Sequence, residues 1–178
     1  MLQQHGYSLL EILLVVAILG IAAAVAIPDQ SPPDLQKLDL AAEETAEAMR
    51  FARGEAIRSG APRGFQHDSG QKRIRVFRAD TSTSPWSLLY DVSHPVSKKP
   101  YDVQLDAHPF ASVDSASHTG NYRGTCNQPG SVYFDRNGTP WCADPETVLL
   151  KQFDVSLSLG SFSRVVTLHG ITGRVTIQ

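Results

Sequence analysis

The sequence lacks the short patterns through which most enzymes announce their chemistry. It has no Gly-x-Ser-x-Gly elbow, no phosphate-binding loop, no His-Glu-x-x-His helix and no Cys-x-x-Cys pair. Hydrolases, nucleotidases, zinc proteases and thiol oxidoreductases are thus left without their usual signatures. Ser, His and Asp are plentiful, but no spacing singles out a triad. The histidines at 67, 94, 108 and 118 stand in loop-like sequence at irregular intervals, where solvated side chains are expected rather than metal ligands. No enzymatic activity, cofactor or metal is therefore expected. An excess of either charge is missing as well: residues 1–28 hold one of the 18 Asp and Glu, Glu11, and none of the 16 Lys and Arg. The remainder is nearly neutral and exerts no global pull on polyanions.

Cysteine is scarce, with only Cys126 and Cys142. They lack the close pairing and the extra ligands of a zinc site. If the domain lies outside the cytoplasm, a disulfide is the expected state, and closing a loop of this length contributes about 3 kcal/mol. Two unpaired buried thiols are the alternative.

What the chain does have is a nearly unbroken apolar run from Gly6 to Ile27. As a helix, Tyr7 to Ile27 extends roughly 30 Å, the thickness of a bilayer's hydrocarbon core, so residues 7–28 are expected to enter a membrane. Glu11 stands inside the run, and a carboxylate in hydrocarbon costs about 3 kcal/mol unless it is paired. Residues 1–6 are too short and too neutral for an ordinary secretory signal. Ala24-Val25-Ala26 nevertheless has the small residues of a signal-peptidase site, which leaves open a periplasmic enzyme released from its signal peptide.

From Pro28 to Pro33 the helix is expected to bend or break, with Ser31 capping a new helix and Pro32 in its first turn. Leu35, Leu38, Ala42, Ala46, Met49, Ala52 and Ala56 recur at three- and four-residue spacing. That spacing predicts an amphipathic helix over 34–59, ended by Ser59-Gly60-Ala61-Pro62. From 64 to 178 the pattern turns to β. The stretches 72–78, 101–105 and 153–159 alternate apolar with polar residues, and shorter strands are predicted at 86–90, 131–134, 147–151, 164–168 and 174–177. Asn137-Gly138 marks a turn, loosened by Pro140; the same Asn-Gly-Thr fits a glycosylation sequon, for which the turn is the preferred reading. Residues 106–125, rich in Ser, His, Gly and Asp, read as an exposed loop.

Gly6-Tyr7-Ser8-Leu9-Leu10-Glu11, followed by the apolar run and Pro28, resembles the class III signal and N-terminal helix of type IV pilins and type II secretion pseudopilins. Three further stretches narrow the resemblance to the H-type minor pseudopilins and the FimT- and FimU-like minor pilins: 48–57 around Phe51-Ala52-Arg53-Gly54, 130–138 ending Asp135-Arg136-Asn137-Gly138, and 164–175 ending Gly173-Arg174-Val175. Tyr7 in place of the commoner phenylalanine, a leader without Lys or Arg, and the Pro32-Pro33 pair depart from the family pattern. The resemblance implies an α+β, pilin-like fold. A leader, 1–6, precedes an apolar assembly helix, 7–28, and a periplasmic globular domain, 29–178, in which the helix 34–59 packs on an antiparallel β-sheet system.

The resemblance also implies a life history. Prepilin peptidase cuts between Gly6 and Tyr7, and Tyr7 is then methylated at its new amino terminus. Glu11 lies one helical turn from that amine; in the family this carboxylate pairs with the terminal amine of a neighbouring subunit and sets its axial position. The implied partners are other minor and major pilins or pseudopilins, met through the N-terminal helix, together with the peptidase and an inner-membrane assembly platform. The implied location is a single pass in the bacterial inner membrane, then the tip of a type II secretion pseudopilus or type IV pilus. FimT-like relatives bind DNA through a C-terminal Gly-Arg-x-Arg, whereas Gly173-Arg174-Val175-Thr176 lacks the second arginine. Arg174, Arg73 and Arg75 form the candidate contact set. Phosphate affinity accumulates contact by contact, and the alternating strand 72–78 reads first as a solvated face or edge protection, so nucleic acid is not the expected partner. Mass spectrometry of the mature protein is expected to find a chain that starts at N-methylated Tyr7; a chain starting at Ile27 would remove the pilin reading.

Overall fold

In the computed structural model, which describes residues 9–26, 33–83, 86–144 and 147–178, the apolar run forms α1 (Leu9–Ala26). The helix has no polar stripe, and Leu9, Leu13, Val16 and Leu19 are all exposed on it. A helix that is apolar all round needs lipid or other helices about it. Among the described residues no helix is both long and apolar enough to cross a membrane, and the span expected over 7–28 reaches past the described part of α1 at both ends. α1 belongs to one compact unit, Met1–Pro32, and everything below to a second, Pro33–Gln178.

The second unit opens with α2 (Asp34–Ser59). Its start corrects the expected cap: Pro33, not Ser31, holds the cap position, and no side chain caps the helix. The Pro33 carbonyl accepts the amides of Gln36 and Lys37 at 2.8 and 3.1 Å, and proline's fixed φ suits a residue half outside the helix. Asp34 in the first turn faces the positive end of the helix dipole. The buried stripe is built of Leu38, Met49 and a series of alanines. Leu35, expected on that stripe, stays exposed in the first turn. The buried hydroxyl of Thr45 donates to the Ala41 carbonyl at 2.8 Å, one turn back.

Two antiparallel sheets follow, made from β1 (Arg63–Asp68), β2 (Arg73–Asp80), β3 (Ser87–Leu89), β4 (Asp102–Gln104), β5 (Asp114–Tyr122), β6 (Ser131–Phe134), β7 (Pro140–Cys142), β8 (Leu150–Leu159), β9 (Phe162–His169) and β10 (Val175–Ile177). The first sheet runs β3-β2-β1-β6-β7, with β4 also pairing β2; the second runs β10-β9-β8-β5. α2 packs on β1, β2 and β6 of the first sheet and on β8, β9 and β10 of the second. One core therefore joins the helix stripe to Phe65, Val76, Val132, Phe153, Val155 and Leu168. The outer face of the first sheet carries a small cluster of its own, with Phe77 and Tyr133 under Trp86, Leu88 and Tyr90.

Several expectations are corrected. Residues 106–125 are not one exposed loop: they contain β5, an edge strand whose pairing with β8 shifts register twice. Its Ser, His and Thr residues hide the alternation that a strand is recognised by. β1 escapes prediction because Arg-Gly-Phe-Gln-His-Asp has a single large apolar residue. The strand expected at 147–151 is instead the start of the long β8, preceded by a lone bridge from Leu149 to Trp141. β2 lies inside its sheet, so its arginines do not protect an edge. Cys126 and Cys142 form a disulfide with Cα atoms 5.8 Å apart. Asn137-Gly138 does form the turn, where the Asp135 carboxylate accepts the amides of Asn137 and Thr139 at 2.8 and 2.9 Å.

The three stretches that carry the family resemblance within the globular domain meet at Arg53. Its Nε donates to the Gly138 carbonyl at 3.0 Å, and its guanidinium lies against Gly173, where a Cβ would stand 2.5 Å from Nε. Gly173 has φ +63, a conformation that costs other residues about 1–2 kcal/mol. Gly173→Ala is expected to destabilise the domain by about 2–3 kcal/mol, because the displaced guanidinium also loses its hydrogen bond. Gly60→Ala has the same strain, φ +64, with open space around it, and is expected to cost about half as much. Chemical denaturation of the two variants measures the difference.

Candidate functional site

The residues expected to serve processing and assembly lie in the first unit. Gly6, Tyr7 and Pro28 fall outside the described residues. Glu11 is described: it is the acidic residue of the first turn of α1, its side chain is exposed, and Ile12, Val15 and Val16 surround it. A lone carboxylate on an apolar cylinder is a selective contact, since lipid and apolar helices reward it nowhere while a cation rewards it strongly.

The basic residues considered for nucleic acid are not gathered into one track. Arg73 pairs with Asp102 at 3.2 Å, and Arg75 bonds Gln66 at 2.6 Å and Asp68 at 3.4 Å. The Arg75 guanidinium also stacks 4.0 Å over the Tyr90 ring. Each cation thus has a counter-charge within the protein, Asp102 for Arg73 and Asp68 for Arg75, while the buried Nε of both lacks a hydrogen-bond partner among the described residues. Arg174 lies in the second sheet's last turn, exposed, beside Lys151 and His169 in a hollow of about 370 Å³. One exposed arginine there and two charge-paired ones on the other sheet make a poor phosphate footprint.

The histidines correct the loop expectation. His67 lies in β1 and His118 in β5, so each belongs to a different sheet, and their Nδ1 atoms meet at 3.0 Å. His67 is 2% exposed and its Nε2 has no hydrogen-bond partner among the described residues. His118 stacks on Phe153 with its ring plane 21° away. The two Nδ1 atoms share one hydrogen bond, in which one ring donates and the other accepts. Burial, and then the neighbouring His118, push the His67 pKa down to about 4; burial lowers His118 as well. Both rings are neutral at pH 7, and they seam the two sheets. The signal for this pair was the two-residue spacing of Phe65 and His67, which puts both on one face of β1. His94 instead organises its own turn, where its Nδ1 accepts the amides of Val96 and Ser97 at 3.1 and 3.3 Å. Among the described residues, no group of three or more His, Cys, Asp or Glu is placed to hold a metal.

Comparison with known proteins finds a match in each unit. Residues 1–27 match the prokaryotic N-terminal methylation motif, and residues 41–171 match the type II transport protein GspH. Type II secretion system protein H of Escherichia coli (strain K12) is 32% identical over 118 residues, which span 64% of this chain and 69% of that protein. Among solved structures, the minor pseudopilin EpsH from the Type 2 Secretion System of Vibrio cholerae matches with a TM-score of 0.52 at 12% identity, over 80% of this chain and 96% of EpsH. The type IV minor pilin FimU of Pseudomonas aeruginosa matches with a TM-score of 0.48 at 16% identity, over 80% and 89%. The EpsH likeness shows a shared α+β, pilin-like fold.

The buried histidine pair has a consequence for stability. The unfolded chain takes up a proton on His67 near the ordinary pKa of 6.5, while the folded chain resists until about 4. Stability is therefore full above pH 6.5 and falls as the pH drops toward 4. About 2 kcal/mol should be lost between pH 7 and pH 5 from His67. His67→Leu is expected to flatten that slope in denaturation curves taken across the interval.

Proposed function

Because this chain belongs to the type II transport protein GspH family, we propose that it serves as a minor pseudopilin, processed at its N-terminus and assembled through α1 into the tip of a type II secretion pseudopilus. The observation that carries this reading is the presence of two matches on one chain, the methylation motif over 1–27 and the GspH family over 41–171. In this reading residues 1–6 are a leader, prepilin peptidase cuts between Gly6 and Tyr7, and Tyr7 is methylated. Residues 7–28 hold the chain in the inner membrane, with 29–178 in the periplasm, until the assembly platform passes it to a filament of other pseudopilins. Its role is structural rather than enzymatic.

The physics of α1 supports such a transfer. An apolar cylinder exchanges lipid for neighbouring helices at little cost, because both surroundings are apolar. Apolar packing alone would then allow many axial positions. Glu11 removes the degeneracy: left unpaired it costs several kcal/mol, and paired with the amine of Tyr7 on a neighbouring subunit it is tolerated. Glu11→Ala is expected to leave insertion and cleavage intact while reducing recovery of the chain with sheared filaments by about tenfold or more. Unchanged recovery would end the assembly role of Glu11.

A further inference from the structure

A groove of about 480 Å³ separates the C-terminal half of α2 from the segment 91–98. Arg58, Arg63, Arg78 and Lys98 line it against two carboxylates, Glu55 and Asp91. Both carboxylates are already engaged: Glu55 accepts Arg58 through its two oxygens at 2.7 and 2.9 Å, and Asp91 accepts Arg78 through both of its own. Arg63 is left over. It is half-buried and makes no ion pair among the described residues; its Nη1 donates to the adjacent Pro62 carbonyl at 3.1 Å. Arg63 also stands directly opposite Arg78 across the β1–β2 ladder, a like-charge cross-strand pair that costs stability. Burial and then the charge of Arg78 lower the Arg63 pKa, and the charges of Glu55 and Asp91 offset this only in part.

We propose that this groove receives the side chain of an Asp or Glu from a neighbouring pilin-like subunit, its carboxylate paired with Arg63 and its aliphatic stem against Phe51 and Pro95. The inference rests on the assembly reading above. A guanidinium presents a planar fork that matches one carboxylate in two parallel bonds. A polyanion is the poorer match, because Glu55 and Asp91 would repel its further charges. The groove wall is also prepared in advance. His94 holds the 94–97 turn through its Nδ1, and its ring packs 4.5 Å from that of Tyr101, whose hydroxyl donates to Glu44 on α2 at 2.9 Å. Little ordering remains to be done on binding.

Lys98 provides the test, because it lines the same groove with an amine. Cells producing the full chain together with its pilin-like partner subunits are treated with a water-soluble carbodiimide, which joins amines to carboxylates without a spacer. Peptides containing Lys98 are then sequenced by mass spectrometry, and sheared filaments are collected from the same cells. The expected result is an isopeptide bond from Lys98 to an Asp or Glu of another pilin-like subunit, reduced about fivefold or more in Arg63→Gln and kept in Arg63→Lys. An assembled chain with no such adduct, or with one indifferent to Arg63→Gln, overturns the groove proposal and leaves assembly standing. A chain absent from the filaments overturns the assembly reading and the groove with it.

Discussion

Because the buried stripe of α2 is made largely of Ala41, Ala42, Ala46, Ala52 and Ala56, two sheets can approach one helix closely enough to share a core. Larger residues along the stripe would hold the sheets apart. Protein interiors tolerate neither the gap nor the overpacking that would follow. Every other feature of the globular unit depends on this double contact. Leu38 and Met49 fill the wider places, and Phe65 and Phe153 meet edge to face across the seam, 6.1 Å between centroids. Arg53 fastens the helix to the turns that end β6 and precede β10.

Electrostatics then divides the surface into finished and unfinished parts. The basic strand β2 is finished: its arginines are held by Asp68, Asp102 and the Tyr90 ring, which is why a strand rich in positive charge offers little to nucleic acid. The His67–His118 seam is finished in a different sense, with both rings kept neutral so that two sheets can meet without burying charge. Glu11 and Arg63 are unfinished. One is a carboxylate on an apolar helix and the other a half-buried guanidinium that makes no ion pair among the described residues, and each gains from a charge supplied by another molecule. That division fits a component whose work is to be packed among subunits.

Much of this was legible before any coordinates. Regular spacing of apolar residues marked α2 to both of its ends, and alternation marked β2, β4 and β8, because periodicity reports which residues face a core. The two cysteines were legible as a disulfide because no other ligands accompanied them. β1, β5 and β7 were not legible. β1 holds one large apolar residue, and β5 is an edge strand of small polar residues whose pairing is set by β8 rather than by its own pattern. The cap of α2 was misread for a related reason: Ser31 is the better capping residue, but the helix begins where the backbone of Pro33 lets it.

The sequence by itself determined the division of labour along the chain. An unbroken apolar run with one carboxylate, an amphipathic helix and a β-rich remainder follow from the period and polarity of neighbouring residues, which are local properties. Only the tertiary structure decided which distant residues meet. Arg53 with Gly138 and Gly173, His67 with His118, and Arg63 with Arg78 are separated by tens of residues or lie on strands whose pairing no local pattern specifies. Whether a charge is spent or available is a property of such meetings. The same strand of arginines could have bound phosphate, had Asp68, Asp102 and Tyr90 not been folded against it.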